Sequence, residues 1–363
     1  MSLGFEQAGF NVAAAVDIEQ IHLDTHSKNF PTCQTWCTDL SLASGAELRK
    51  HTGLVGKQIS VIFAGPPCQG FSLIGKRRRE DPRNLLLLDL ARLIAELSAS
   101  YFVVENVAGI LLGDAKNVLE EFVRRVKQAG YCVVEPIQVL DAAEFGVPQR
   151  RRRVFVLGYK NGLVAPKYPT PSHPRSGDRI GGPTVWDAIG DLPNITRYKY
   201  LFETDEYDGE LGVPSDYASI LRGENQDPQD KSRPPSRNGN GLSGCLRTAH
   251  TRETIRRFGN TRQGTSEDIS RFYRLAKGGL APTLRAGTGP AQGSFMAPRP
   301  IHPFQDRCIT VREAARLHSF PDWFHFHPTK WHGFRQIGNS VPPLLARAIA
   351  NSVARAFSRN DQS

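Results

Sequence analysis

The chain has 363 residues, 39% of them hydrophobic and 23% charged, with a net charge of +10. That length supports one large domain or two moderate ones, and the composition excludes a disordered or fibrous chain. No apolar run approaches a membrane span, and the opening Met1-Ser2-Leu3-Gly4-Phe5-Glu6 lacks the basic-then-apolar layout of a secretory signal. A soluble, cytoplasmic protein with a polyanionic partner, nucleic acid first, is the expectation.

In chain order, residues 11–16, 59–64 and 101–104 read as short apolar strands. Residues 85–97 and 118–129 carry apolar side chains at helical spacing, and further strands are expected at 131–139 and 154–159. This alternation over 1–162 predicts a mostly parallel α/β sheet. From 163 to 304 the texture changes to Pro, Gly, Arg and Asp, with Pro166, Pro169, Pro171 and Pro174 opening the stretch. It reads as a second, smaller, loop-rich domain in which Trp186, Phe258, Phe272 and Tyr273 supply a core. Helical patterns return at 310–319 and 342–357, within a closing segment 305–363.

Six cysteines, at 33, 37, 68, 132, 245 and 308, are scattered with no disulfide framework. Cys33 and Cys37 have no second Cys/His pair at ligand spacing, and His325, His327 and His332 read as a solvated loop, so no metal is expected. Cys68 is different. It ends the stiff turn Gly65-Pro66-Pro67 directly after a predicted strand, the place where α/β sheets bind ligands. Glu105-Asn106-Val107 follows the next strand; if the two strands are parallel neighbours, Cys68 and Glu105 share one edge, and Glu105 becomes a candidate acid. In Gln149-Arg150-Arg151-Arg152-Arg153, extended backbone would send Arg151 and Arg153 to one face and Arg150 and Arg152 to the other. The basic run Lys76-Arg77-Arg78-Arg79 lies close after Cys68 and suits phosphate contact.

Together with Thr310-Val311-Arg312-Glu313-Ala314-Ala315-Arg316-Leu317 and Gln336-Ile337-Gly338-Asn339-Ser340-Val341-Pro342-Pro343, these motifs resemble, in order, the cytosine-carbon-5 DNA methyltransferase family of bacterial and phage modification enzymes. The resemblance implies a Rossmann-like S-adenosylmethionine-dependent sheet, interrupted by a target-recognition domain over 163–304, with 305–363 returning to the cofactor site. It implies that Cys68 adds to carbon 6 of a flipped-out cytosine, that Glu105 holds the ring, and that Arg153 binds the cytosine carbonyl with Arg151 in support. Asp17, Ile18, Asp39, Leu40, Gly65, Pro67, Leu86, Asn339, Ser340 and Val341 would hold S-adenosylmethionine. Gln69, Ser72, Lys76, Arg77, Arg78 and Arg79 would contact double-stranded DNA from a closing loop over 69–81. A cognate restriction endonuclease and a monomeric state belong to the same expectation.

The chain departs from the family at its start. Members begin with a strand and a Phe-x-Gly-x-Gly-Gly loop before the segment matching Ser2 to Glu6, and this sequence opens just beyond those glycines. An upstream start and a natural truncation both fit. The expected consequence is weak cofactor binding and a sheet with unpaired edges where its first strand should lie. Two other functions follow from weighing the departure and the fold: a catalytically impaired DNA-binding protein of the same family, and an RNA cytosine methyltransferase. Arg152, where many members carry Glu, should point outward with little effect.

Overall fold

A computed structural model of the chain describes residues 1–67, 85–177, 179–225, 227–232, 241–287 and 299–360, the side chains of 179 and 180 excepted. Two compact units emerge. The first gathers Met1–Asp141, Arg152–Thr170 and Ala346–Ser363, and the second Ala142–Arg151 and Pro171–Leu345.

In the first unit, short helices α1 (Ser2–Gln7), α2 (Gln20–Asn29) and α3 (Gly45–His51) accompany β1 (Ala14–Asp17), β2 (Gln34–Cys37) and β3 (Val61–Ala64). There follow α4 (Leu86–Leu97), β4 (Tyr101–Val107), α5 (Gly113–Gln128), β5 (Tyr131–Val133), β6 (Gln138–Asp141) and β7 (Arg152–Lys160). β1 and β2 pair in parallel as a ribbon of their own. The larger sheet runs β3-β4-β7-β5, with β6 also on β7. β3 and β4 are parallel, while β7 is antiparallel to β4, β5 and β6. Among the described residues no ladder joins β1 to β3, so the sheet is divided at that point.

The amino-acid pattern explains these elements. In α4, Leu87, Leu90, Ala91, Ile94 and Leu97 fall on one stripe and are buried, and the helix stops at Ser98 in the left-handed conformation. In α5 the buried stripe is Ala115, Leu119, Phe122 and Val126. Both helices close over β4, whose first six residues are buried, and over Val154 and Val156 of β7. Each large apolar side chain so covered contributes roughly 1.5–3 kcal/mol. Gly158 stands opposite Phe102 across the ladder, and a Cβ there would lie 2.0 Å from the Phe102 ring. The aromatic core therefore requires a glycine at 158. Pro136 has no N–H to give a ladder, and the single strand expected over 131–139 is two strands. α5 starts five residues earlier than its periodicity suggested, and β4 runs on through Glu105 to Val107.

The second unit has little sheet. Its helices are α6 (Val185–Ile189), α7 (Asp216–Arg222), α8 (Arg252–Asn260), α9 (Val311–Leu317) and α10 (Lys330–Asn339); α11 (Pro343–Asn360) begins in it and ends in the first unit. His332 lies inside α10, not in a loop as its polar surroundings suggested, and its ring stands 4.7 Å from that of His327. Small apolar clusters, such as Phe258 with Ile301, Cys308 and Phe272, fill the unit. Buried arginines do the remaining work. Arg316 pairs with Asp322 and Asp191 at 2.7 and 3.1 Å, and Arg222 pairs with Asp191. Arg312 donates to the carbonyls of Ser243, Pro321 and Phe324. Loop backbone that no ladder satisfies is satisfied by planar guanidinium forks. Thr310 and Glu313 form a capping box at the start of α9, and Glu313 also pairs with Arg307 at 2.7 Å. Among the described residues no helix is long and apolar enough to cross a membrane.

Candidate active site

In the first unit the site is built on the C-terminal halves of β3 and β4. Glu105 stands opposite Phe155 and Arg153 opposite Val107, so the two charged residues are diagonal neighbours on one face of the sheet. Arg153 Nε lies 2.8 Å from Glu105 Oε1, with the two side chains only 13% and 10% exposed. Burial, the largest influence, works against the Arg153 charge, and Glu105 offsets part of it. The next residue, Asn106, faces the other way and donates from Nδ2 to the Pro66 carbonyl at 3.4 Å. A Cβ on Gly65 would meet Glu105 Oε2 at 3.1 Å. The turn Gly65-Pro66-Pro67 is thus held against Glu105-Asn106. Cys68 itself lies outside the described residues, as do Gln69, Ser72, Lys76, Arg77, Arg78 and Arg79.

Asp17 closes β1, its Oδ1 accepting from the Glu19 amide at 2.9 Å and Oδ2 lying 3.4 Å from His22. Burial raises its pKa, but the His22 and backbone hydrogen bonds together carry the carboxyl below its usual value. Ile18 beside it is 64% exposed. Asp39, after β2, accepts from Ser41 N and Oγ, which lowers its pKa. Leu40, like Trp36 and Val16, packs against the cluster of Leu48, Leu93 and Leu97, and its carbonyl accepts from Arg92. Leu86 opens α4.

In the second unit Arg151 is buried and donates to three carbonyls: Leu284 at 3.0 Å, Gly338 at 2.7 Å and Ser340 at 2.8 Å. Gln149, also buried, accepts from the Leu284 amide and meets His318 Nδ1 at 2.9 Å, and His318 Nε2 meets the Ser340 carbonyl at 3.1 Å. The Gln149 amide can only donate to Nδ1, which puts the imidazole proton on Nε2, facing that carbonyl. Asn339 is exposed at the end of α10 and Val341 is buried. Gly338 has backbone of Arg285 and Ala286 within 2.4 Å of where a Cβ would sit.

The family model for C-5 cytosine-specific DNA methylases matches residues 1–355. The chain belongs to that family. It is 47% identical to the type II methyltransferase M.XorII of Xanthomonas oryzae pv. oryzae, across 100% of this chain and 84% of that protein. It is 31% identical to M.AgeI of Thalassovita gelatinovora, across 98% and 96%. Among solved structures, a putative DNA modification methyltransferase encoded within an E. coli prophage superposes with a TM-score of 0.76 at 32% identity, covering 98% of this chain and 96% of that one. S. pombe Dnmt2, at 15% identity and a TM-score of 0.55, shares the fold. The protein is a DNA (cytosine-5-)-methyltransferase with a Rossmann-like catalytic fold, and S-adenosylmethionine is the methyl donor of this family.

In this methyltransferase the four-arginine run alternates. Arg150 and Arg152 are exposed, while Arg151 and Arg153 turn inward. Arg153 reaches Glu105; Arg151 goes instead to the loop around Ser340. Sequence reading missed His318 and gave no role to Gln149 or Thr283. Thr283 Oγ1 donates to the Arg150 carbonyl at 2.7 Å, fastening Pro282-Thr283-Leu284 to the arginine run. No periodicity signals a lone imidazole that bridges two motifs some 20 and 170 residues away in sequence, and its burial is visible only in the folded chain.

Proposed function

We propose that this methyltransferase modifies cytosine through a covalent adduct with Cys68, on a base flipped out of a specific duplex sequence. The observation that carries the reading is the clamp of Gly65-Pro66-Pro67 against Glu105-Asn106, because the next residue of that turn is the cysteine. Carbon 5 of cytosine is a weak nucleophile. Addition of the Cys68 thiolate at carbon 6 forms a C–S bond and moves the ring electrons to make carbon 5 enamine-like. Glu105 holds N3 and the exocyclic amine as charge builds there, and Arg153 both orients Glu105 and donates to the base carbonyl. Once carbon 5 carries the methyl group, loss of its proton restores the double bond and expels the thiolate. A base stacked in a duplex offers no path for this attack, so flipping is required.

S-adenosylmethionine supplies an electrophilic methyl group on a cationic sulfur. The residues present suit it: an ionised Asp17 beside the exposed apolar Ile18 fits a ribose hydroxyl next to a flat base. Asp39 and Leu40, Gly65, Pro67 and Leu86 complete that set, with Asn339, Ser340 and Val341 assigned to the methionine end. Arg151 acts there as a positioning residue, fixing the Ser340 carbonyl. Residues 69–81 close on DNA, with Gln69, Ser72 and the run Lys76 to Arg79 at the phosphates. Region 163–304 reads the sequence in a monomer that works in the cytoplasm alongside a cognate restriction endonuclease.

The test is incorporation of labelled methyl into mixed-sequence duplex DNA by wild type and Cys68→Ala. Label at cytosine with the first and none with the second supports the reading. Equal label with both removes Cys68 from the mechanism.

A further inference from the structure

Residues 264–274 form a hairpin in the second unit. Ser266 bridges Tyr273, and Gly264 and Thr265 exchange hydrogen bonds with Arg274. The tip is unusually constrained. Glu267, only 4% exposed, accepts from the amides of Ile269 and Ser270 and from Ser270 Oγ, and it lies 3.1 Å from Arg257 of α8. The base is anchored as firmly: Phe272 packs on Phe258 of α8, and Arg274 donates to the Phe258 and Pro303 carbonyls. On this rigid ribbon Arg271 is exposed with φ +60°, a conformation that residues with a Cβ seldom adopt. Ile269, two residues before it, is 68% exposed. On α8, Arg252 and Arg256 are four residues apart on one face and exposed. Among the described residues, no carboxylate pairs with Arg252, Arg256 or Arg271.

We propose that this hairpin enters the major groove of the target duplex, with Arg271 reading a guanine, while Arg252 and Arg256 hold phosphates beside it. The proposal rests on the assignment of target recognition to region 163–304. A major groove admits a two-stranded ribbon, and an arginine fork matches O6 and N7 of guanine. Ile269 offers an apolar contact for a neighbouring thymine methyl. A merely solvated arginine has no need of strained backbone held by a buried carboxylate; a base-reading one gains from a preorganised direction. Helix-borne arginines that contact phosphate give affinity and register without sequence information.

The experiment is selection of a random-sequence duplex library by the full chain, for wild type, Arg271→Gly, Arg271→Lys and the Arg252→Ala/Arg256→Ala double variant. Glycine takes φ +60° without strain, so Arg271→Gly keeps the turn while removing the side chain. Its expected result is a roughly ten- to hundred-fold loss of preference at one G·C pair, with the other positions of the site unchanged. Arg271→Lys should restore only part of that preference. The double variant should bind all sequences more weakly, with a shallower salt dependence and the same consensus. An unaltered consensus for Arg271→Gly, or a loss uniform over all sequences, overturns the base-reading role. Because the readout is binding, a failure of the Cys68 mechanism would appear separately, as methylation of the selected site by Cys68→Ala.

Discussion

Arg153 and Glu105 meet at 2.8 Å across the β4–β7 ladder, each nearly buried and each the other's counter-charge. The pair comes from two strands running in opposite directions, so its geometry is fixed by register and not by a loop. Arg153→Ala would strip the Glu105 carboxylate of that partner. Turnover should fall roughly 10²–10³-fold, the usual loss for a donor at a developing charge. Folding stability should fall by no more than about 3–5 kcal/mol, the range for breaking a buried pair. Methyl incorporation and urea unfolding, run on the same preparation, separate the two effects. Activity within threefold of wild type would remove Arg153 from the base-binding role.

Arg151, two residues earlier, answers to a different need. Its three carbonyl acceptors come from residues 284, 338 and 340. Arg151→Ala should lower stability by about 3 kcal/mol or more, since hydrogen bonds from a charged donor carry about 1.5–3 kcal/mol each and these are buried. Arg151→Lys should recover little, because an ammonium cannot span three carbonyls as a planar fork does. The check is the urea midpoint of the three proteins. A lysine variant as stable as wild type would show that charge alone suffices there.

Gly338→Ala tests the same corner from its backbone side. The added methyl would fall 2.3 Å from the Ala286 nitrogen, and backbone cannot step aside as a flexible side chain can. We expect a lower melting temperature and a raised KM for S-adenosylmethionine, through displacement of Asn339 and Ser340. Isothermal titration with the donor reports the second effect directly, and unchanged affinity would free that loop from cofactor binding.

Acid should weaken the second unit in two stages. Burial pushes the His302 imidazole down to about 4 from a usual 6.5. The unfolded chain therefore protonates first. The contribution of neutral His302, complete above about 6.5, is lost as pH falls towards 4. Burial alone would raise the Glu313 carboxyl, but Arg307 and the Thr310 amide bring it down to about 2 from 4.5. Its contribution is complete above about 4.5 and is lost between there and about 2. His302→Asn keeps an acceptor for the amides of Phe304 and Gln305, which His302 Nδ1 now serves, and should flatten the first stage alone. Glu313→Gln should close its deficit against wild type as pH falls through the second. Urea midpoints from pH 7.5 to 3 would show either pattern.

The strands and the turn around Gly65 and Glu105 were legible because their signals are local. A strand, a Pro-Pro turn and a cysteine are contiguous, and alternation along an extended run correctly sent Arg151 and Arg153 inward and Arg152 outward. What escaped is non-local. The Gln149–His318–Ser340 chain joins residues about 170 and 20 positions apart. The helical pattern over 310–319 gave no sign that every residue of α9, its two arginines included, is buried. Arg316 is compensated there by Asp191 and Asp322, and Arg312 by the carbonyls of Ser243, Pro321 and Phe324.

The ten residues Ala142–Arg151 lie between two strands of the first unit but fold with the second. With target recognition proposed for region 163–304, this constrains how that region can be exchanged between relatives. A transplant of 163–304 alone would put a foreign Leu284 against a resident Gln149 and Arg151, and would pair a foreign Asp191 with a resident Arg316. A graft that carries Ala142–Arg151 together with Pro171–Leu345 moves the whole buried polar lattice intact. Chimeras cut at those joints should fold and inherit the donor's site preference, while shorter cuts should yield insoluble protein.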